Sequence, residues 1–147
     1  MEVLDPQNSG INLFDDNWRI YSRNSGMTGH RIGEEAVLDN CMITDGCSIN
    51  GEIKHSILFA GVKVEKGAVI EDAVIMGGST IKEGAQIKHC IIAENVVIEK
   101  NAIVGAMPTG DEKGVATVGS NVTVGEGAEV GPHAMVSSDV KGGEKVW

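Results

Sequence analysis

The sequence predicts an all-β fold: a three-sided parallel β-helix of hexapeptide repeats behind an N-terminal linker segment. Three observations predict it. Residues 64–80 (VEKGAVIEDAVIMGGST) and 81–97 (IKEGAQIKHCIIAENVV) match in type at almost every position, and 32–48 fits the same template. Such self-similarity is the signature of stacked repeats. Within each stretch an aliphatic residue recurs at spacings of six, five and six. A small residue usually follows four positions later, preceded by Gly or Asn, the residues that most readily take φ > 0. Composition agrees: 41% hydrophobic, only 3% aromatic, and 20 Gly in 147 residues. A core with so few aromatics is thin and built from branched aliphatics. Helix is the competing reading. Spacings of five and six do not hold one helical face, and a Gly or Asn every six residues would cost each helix.

In chain order, residues 1–31 read as a linker or junction segment. Residues 11–21 (INLFDDNWRIY) hold one Phe, one Trp and the single Tyr, an apolar cluster that needs a surface to cover. Residues 22–30 read as a loop. The β-helix is expected over 32–141. Its inward aliphatics are expected at Ile32, Leu38, Ile43, Ile49, Ile53, Ile57, Val64, Ile70, Ile75, Ile81, Ile87, Ile92, Ile98 and Val104, resuming at Val118, Val124, Val130 and Val136. Each short run is a strand of β-branched residues closed by a sharp left-handed corner. Three strands and three corners return the chain about 4.8 Å above its start, so every layer pairs its backbone with the next. Between Ile49 and Val64 the spacing shortens, which predicts a tight or bulged coil. Residues 105–117, with Pro and charges, suit an excursion from the prism. Residues 142–147 are expected as a C-terminal tail, with Val146 and Trp147 placed to cap the prism.

The net charge of −9 argues against nucleic acid or an anionic membrane as partner. No run of about 18 apolar residues is present, so no membrane span is expected. There is no signal-peptide pattern. Cys41, Cys47 and Cys90 form no C-x-x-C pair and read as reduced thiols, which points to a cytoplasmic protein.

Candidate chemistry is sparse. His30, His55, His89 and His133 are the four histidines. His55 and His89 are thirty-four residues apart, two coils, or about 9.6 Å of rise, too far to share one zinc. An H-x4-H pair is missing, and no metal site is assigned. His89 and His133 stand just before Cys90 and Ala134, where turn residues belong. The three cysteines fall on small-residue corners, where a thiol is a small apolar filler. The glycines of residues 125–131 (GEGAEVG) lack dinucleotide-fingerprint spacing, and the corners explain them. The sequon Asn121-Val122-Thr123 is expected to be inert. Glu65, Glu71, Asp72, Glu83, Glu94 and Glu99 read as a solvated outer face interleaved with Lys63, Lys66, Lys82, Lys88 and Lys100. No catalytic residue is assigned. Lys88 and Lys100 are the candidates for phosphate contact, if a second domain brings further positive charge.

Residues 13–22 (LFDDNWRIYS), followed by repeats containing 55–64 (HSILFAGVKV), resemble the C-terminal part of bacterial glucose-1-phosphate adenylyltransferase (ADP-glucose pyrophosphorylase). Residues 71–76 (EDAVIM) and 90–98 (CIIAENVVI) fit the next coils of that family. The resemblance covers residues 1–104. It implies left-handed coiling and a role in glycogen synthesis. The whole enzyme joins glucose 1-phosphate and ATP into ADP-glucose and pyrophosphate with magnesium, in an N-terminal domain whose G-G-x-G-x-R-L-type loop is not in this sequence. The chain is therefore expected to be a non-catalytic C-terminal domain for tetramer assembly (homo- or hetero-) and allosteric regulation. Its partner would be its own catalytic domain, and it would need no cofactor itself. The resemblance makes Lys88 and Lys100 effector contacts. Two other readings compete: a stand-alone hexapeptide acyltransferase with His133 or His89 as base, and a zinc hydratase.

Overall fold

A computed structural model describes residues 2–5, 7, 10, 12, 13, 15–19, 21, 24–110 and 114–147. It is a parallel β-solenoid of about seven turns, as the repeat predicts. The first face stacks Arg31–Ile32, Ser48–Ile49, Lys63–Val64, Thr80–Ile81, Val97–Ile98 and Thr123–Val124, with Val140 bridged to Val124. The second stacks Val37–Asp39, Glu52–Lys54, the front halves of Val69–Ile75 and Gln86–Ile92, then Ile103–Val104, Glu129–Val130 and Lys145–Val146. The third stacks Met42–Ile43, Ile57–Leu58, the rear halves of the two seven-residue strands, Ala116–Val118 and Met135–Val136.

The side chains explain the stack. Ile49, Ile53, Val64, Ile70, Ile75, Ile81, Ile87, Ile92, Ile98 and Val104 point inward and are essentially sealed from solvent. Each is worth about 1.5–3 kcal/mol of burial. Small residues fill the corners. Where that residue is Ser it is satisfied: Ser56 Oγ donates to the Lys54 carbonyl at 2.6 Å and accepts from the Ala73 N–H at 3.1 Å. Ser79 Oγ does the same with the Ala93 carbonyl and the Val96 N–H.

Each corner turns through a residue with φ > 0. Corner one, from first face to second, uses Gly67, Gly84, Asn101 and Gly127. Corner two, from second to third, uses Asn40, His55, Asp72, His89 and His133, with no glycine. Corner three, back to the first face, uses Gly46, Gly61, Gly78, Asn95 and Asn121.

Strand partners are usually seventeen residues apart, as Lys63, Thr80 and Val97 are. Two departures were anticipated and are now located. Ser48 pairs with Lys63, fifteen residues on, because Asn50 and Gly51 alone turn corner one. Gly51 is buried there, and a Cβ would stand 2.5 Å from the Ala68 carbonyl oxygen, so no side chain fits. Cys90 pairs with Ala116, twenty-six residues on. The extra nine residues leave the prism at corner two. Asp111, Glu112 and Lys113 lie outside the described residues.

Several expectations change. The inward residue of the tight coil is Leu58, not Ile57, because the five-residue step from Ile53 lands on Leu58. Ile32 and Leu38 are each 40% exposed, since no described coil covers the first. The excursion ends before Ala116, which already pairs within the third face. Residues 142–147 contribute Lys145–Val146 as a last rung on Glu129–Val130. In the apolar cluster of 11–21, Ile11, Phe14 and Ile20 lie outside the described residues, while Trp18 and Tyr21 are exposed. Ser22 and Arg23 of the expected loop also lie outside them. Met27 packs across Gly46 and Gly61.

Candidate functional site

Corner two holds the densest chemistry. The seventeen-residue register sets His55, Asp72 and His89 in one column, one per coil. His55 Nδ1 lies 3.0 Å from Asp72 Oδ1, and His89 Nδ1 contacts Asp72 Oδ2. A carboxylate can only accept, so both rings carry hydrogen on Nδ1 and turn Nε2 away from Asp72. Holding one ring nitrogen this way fixes the tautomer and orientation of an imidazole. All three residues take φ > 0, a conformation that side chains other than Gly, Asn and Asp adopt at some cost. The ring–carboxylate bonds offset that cost.

Beside His89 is a recess of about 160 Å³ lined by Asp72, Val74, His89, Cys90, Ile91 and Val115. Val115 occupies the corner-two position one coil beyond His89 and brings no polar group to the column. Past it, the His133 ring packs against Gly114. His133 therefore stands apart from the Asp72 column. His30 is exposed in the entering chain.

The thiols are apolar fillers. Cys90 is buried, and desolvation, with the Asp72 charge nearby, pushes its pKa up to about 12. Burial also raises Cys47, whose thiol donates to the Phe59 carbonyl at 3.2 Å. Neither is a nucleophile near neutral pH.

Corner one forms a shallow groove of about 410 Å³ lined by Lys66, Gly67, Glu83, Gly84, Lys100 and Asn101. Its cations are paired: Lys100 with Glu83 at 3.0 Å and Lys66 with Glu35 at 2.7 Å. The hydrogen bond to Glu83 raises the Lys100 pKa, so the ammonium is charged. Lys82 pairs with Glu99 at 2.8 Å on the adjoining column. Lys88 lies instead at the corner-two end of the second face, in register with Glu71. The two proposed effector lysines thus stand at opposite ends of one face, and the fold does not bring them together.

Among the described residues, no group of three or more His, Cys, Asp or Glu could hold a metal ion. The His55–Asp72–His89 column spends its Nδ1 atoms and its carboxylate on itself. These residues do not fit the magnesium that the resemblance assigns to the whole enzyme. No described helix is long and apolar enough to cross a membrane. The role of Asp72 was not read from the sequence, where it counted among outward carboxylates. The signal was present: it lies seventeen residues from each of two histidines.

Comparison with known proteins agrees with the fold. The profile of the family described as GlmU-like, C-terminal hexapeptide matches residues 25–125. Glucose-1-phosphate adenylyltransferase of Bacillus mycoides is 44% identical over 81 residues, 55% of this chain and 21% of that protein. The Bacillus anthracis protein of the same name is 43% identical over the same shares. The chain thus spans about a fifth of the length of the curated relatives it matches. Among solved structures, the acetyltransferase domain of PglB from Neisseria gonorrhoeae superposes with a TM-score of 0.52 at 17% identity, covering 79% of this chain and 53% of that one. Its complex with acetyl coenzyme A gives 0.55 at 17% identity, covering 82% and 55%. At that identity the likeness is one of fold.

Proposed function

Since the chain belongs to the GlmU-like, C-terminal hexapeptide family, we propose that it serves as the β-helix domain of a glucose-1-phosphate adenylyltransferase. Its work is assembly and response to effectors, and the chemistry belongs to a nucleotidyltransferase domain in the cytoplasm. The carrying observation is the run of high identity to the C-terminal region of those enzymes. The ion-pairing agrees with a structural role. The lysines of corner one are held by Glu35, Glu83 and Glu99, so a phosphorylated effector needs additional cations from another domain to displace them. Under this reading Lys100, and separately Lys88, contribute single charges to composite sites.

The test uses two assays. The purified chain is incubated with glucose 1-phosphate, ATP and magnesium, and no ADP-glucose is expected. A Bacillus glucose-1-phosphate adenylyltransferase lacking its matching C-terminal region is then mixed with the chain. Recovery of a tetramer in sedimentation, with effector-dependent turnover, is expected. Turnover by the chain alone, or no recovery on mixing, overturns the proposal.

One observation favours a second reading, acyl transfer. Asp72 orients His89 beside an open recess, which is the arrangement a general base needs. His89, rather than His133, is then the base. Calorimetric titration with acetyl-coenzyme A decides it: saturable heat, abolished in His89→Ala, is expected from an acyltransferase, and flat titration removes this reading.

A further inference from the structure

The outward side of the third face differs from the other two. Its central column, in register, is Met42, Ile57, Val74, Ile91, Thr117 and Met135. Ile91 is 38% and Met135 82% exposed, and Phe59 (46%) and Met76 (36%) continue the apolar surface toward corner three. The corresponding column of the first face carries Arg31, Ser48, Lys63 and Thr80, and that of the second carries Glu52, Gln86, Glu129 and Lys145. Outward strand positions facing water are normally polar. A contiguous apolar face marks an interaction site.

We propose that this face pairs with the same face of a second copy, the two prisms antiparallel about a two-fold axis across the Val74 and Ile91 rungs. The inference stands on the face itself and not on the adenylyltransferase reading. Three features point to this occupant. The column carries no charge in a chain of net charge −9, so it is where two like-charged copies meet with least repulsion. Its sizes run nearly symmetrically, Met at both ends and Ile and Val between. An isologous two-fold then sets Val74 against Ile91, Ile57 against Thr117 and Met42 against Met135. The same axis brings Asp72 of each copy level with the other's His89, so corner two meets a complement rather than a like charge.

The size sets the strength. Five rung spacings of about 4.8 Å by roughly five residues of width give a footprint of roughly 400 Å² per copy. Both copies together bury roughly 800 Å², below a standard interface, so the dimer is weak and reversible.

Sedimentation velocity on the full chain from about 1 µM to about 500 µM covers the range for such an interface. The sedimentation coefficient is expected to rise with concentration. Ile91→Glu, an outward change, is expected to stay monomeric throughout, and Thr80→Glu on the first face to behave like the parent. Orientation is read by mixing Val74→Cys and Ile91→Cys copies in a Cys41→Ser background, where the mixed disulfide should dominate. A parent chain that is monomeric at every concentration, an Ile91→Glu variant that still dimerises, or a dominant Val74→Cys self-disulfide overturns the proposal. So does a face shielded only when the remaining chain of an adenylyltransferase is added. These readouts use the chain alone, so their failure is distinct from failure to restore a tetrameric enzyme.

Discussion

Glu35 and Lys66 belong to coils two layers apart, yet their side chains meet at 2.7 Å. The missing residues of the intervening coil explain it. Asn50 and Gly51 turn corner one without the two residues that would stand between them. Inserting two residues between Asn50 and Gly51 should restore the seventeen-residue step and separate the pair. Both side chains are largely exposed, so the loss of the pair itself should leave the denaturation midpoint unchanged, as should Lys66→Ala. A clear fall in midpoint for Lys66→Ala would mean the pair fastens the first coil.

The inward column should show the opposite sensitivity. Ile81 is fully buried between Val64 and Ile98. Ile81→Val removes one methylene and should cost about 0.5–1.5 kcal/mol, a fall of a few degrees in Tm. Ile81→Asp places a carboxylate where no partner can reach it and should abolish cooperative melting of the neighbouring coils, read by circular dichroism. An unchanged melt would mean Ile81 does not face the core.

Cys90 supplies a pH dependence. Burial holds its thiol neutral up to about 12, whereas in the unfolded chain it ionises near its ordinary value of 9.0. Between those values the unfolded chain has released a proton that the folded chain keeps. Stability from this group is therefore complete below pH 9 and falls as pH rises toward 12. Melting temperature measured from pH 8 to 10.5 should decline, and less steeply in Cys90→Ala. Ala is already the corner residue at positions 73, 116 and 134, so the variant should fold. Equal slopes in both proteins would show that Cys90 does not carry the effect.

How much of this was legible depends on what each feature requires. The inward residues from Ile49 to Val136, apart from Ile57, could be read because a side chain pointing into a thin prism must be aliphatic, and the spacing then repeats. Leu58 was misread as Ile57 because two adjacent aliphatics fit the pattern equally, and only the length of the corner before them chooses. Ile32 and Leu38 obey the pattern, but burial needs a covering coil, which no residue's own identity reports. Lys88 and Lys100 looked alike in sequence. Their separation follows from which corner each occupies. Asp72 looked like any outward carboxylate because its partners are one coil away on either side.

Asp72 gives the sharpest test of corner two. Its carboxylate accepts from His55 and His89 while its own backbone holds φ 51. Asn tolerates that backbone and retains one acceptor, so Asp72→Asn should lose the bond to one ring and cost about 1 kcal/mol. Asp72→Ala loses both bonds and adds the strain of a left-handed alanine, for about 2–3 kcal/mol in total. Nitrogen-15 chemical shifts of the imidazoles should place hydrogen on Nδ1 of both His55 and His89 in the parent chain. In Asp72→Ala both rings should revert to a mixture of tautomers, while His133, which has no part in the column, should keep its shifts. If the parent chain already shows mixed tautomers at His89, Asp72 does not orient it, and the acyl-transfer reading loses its base.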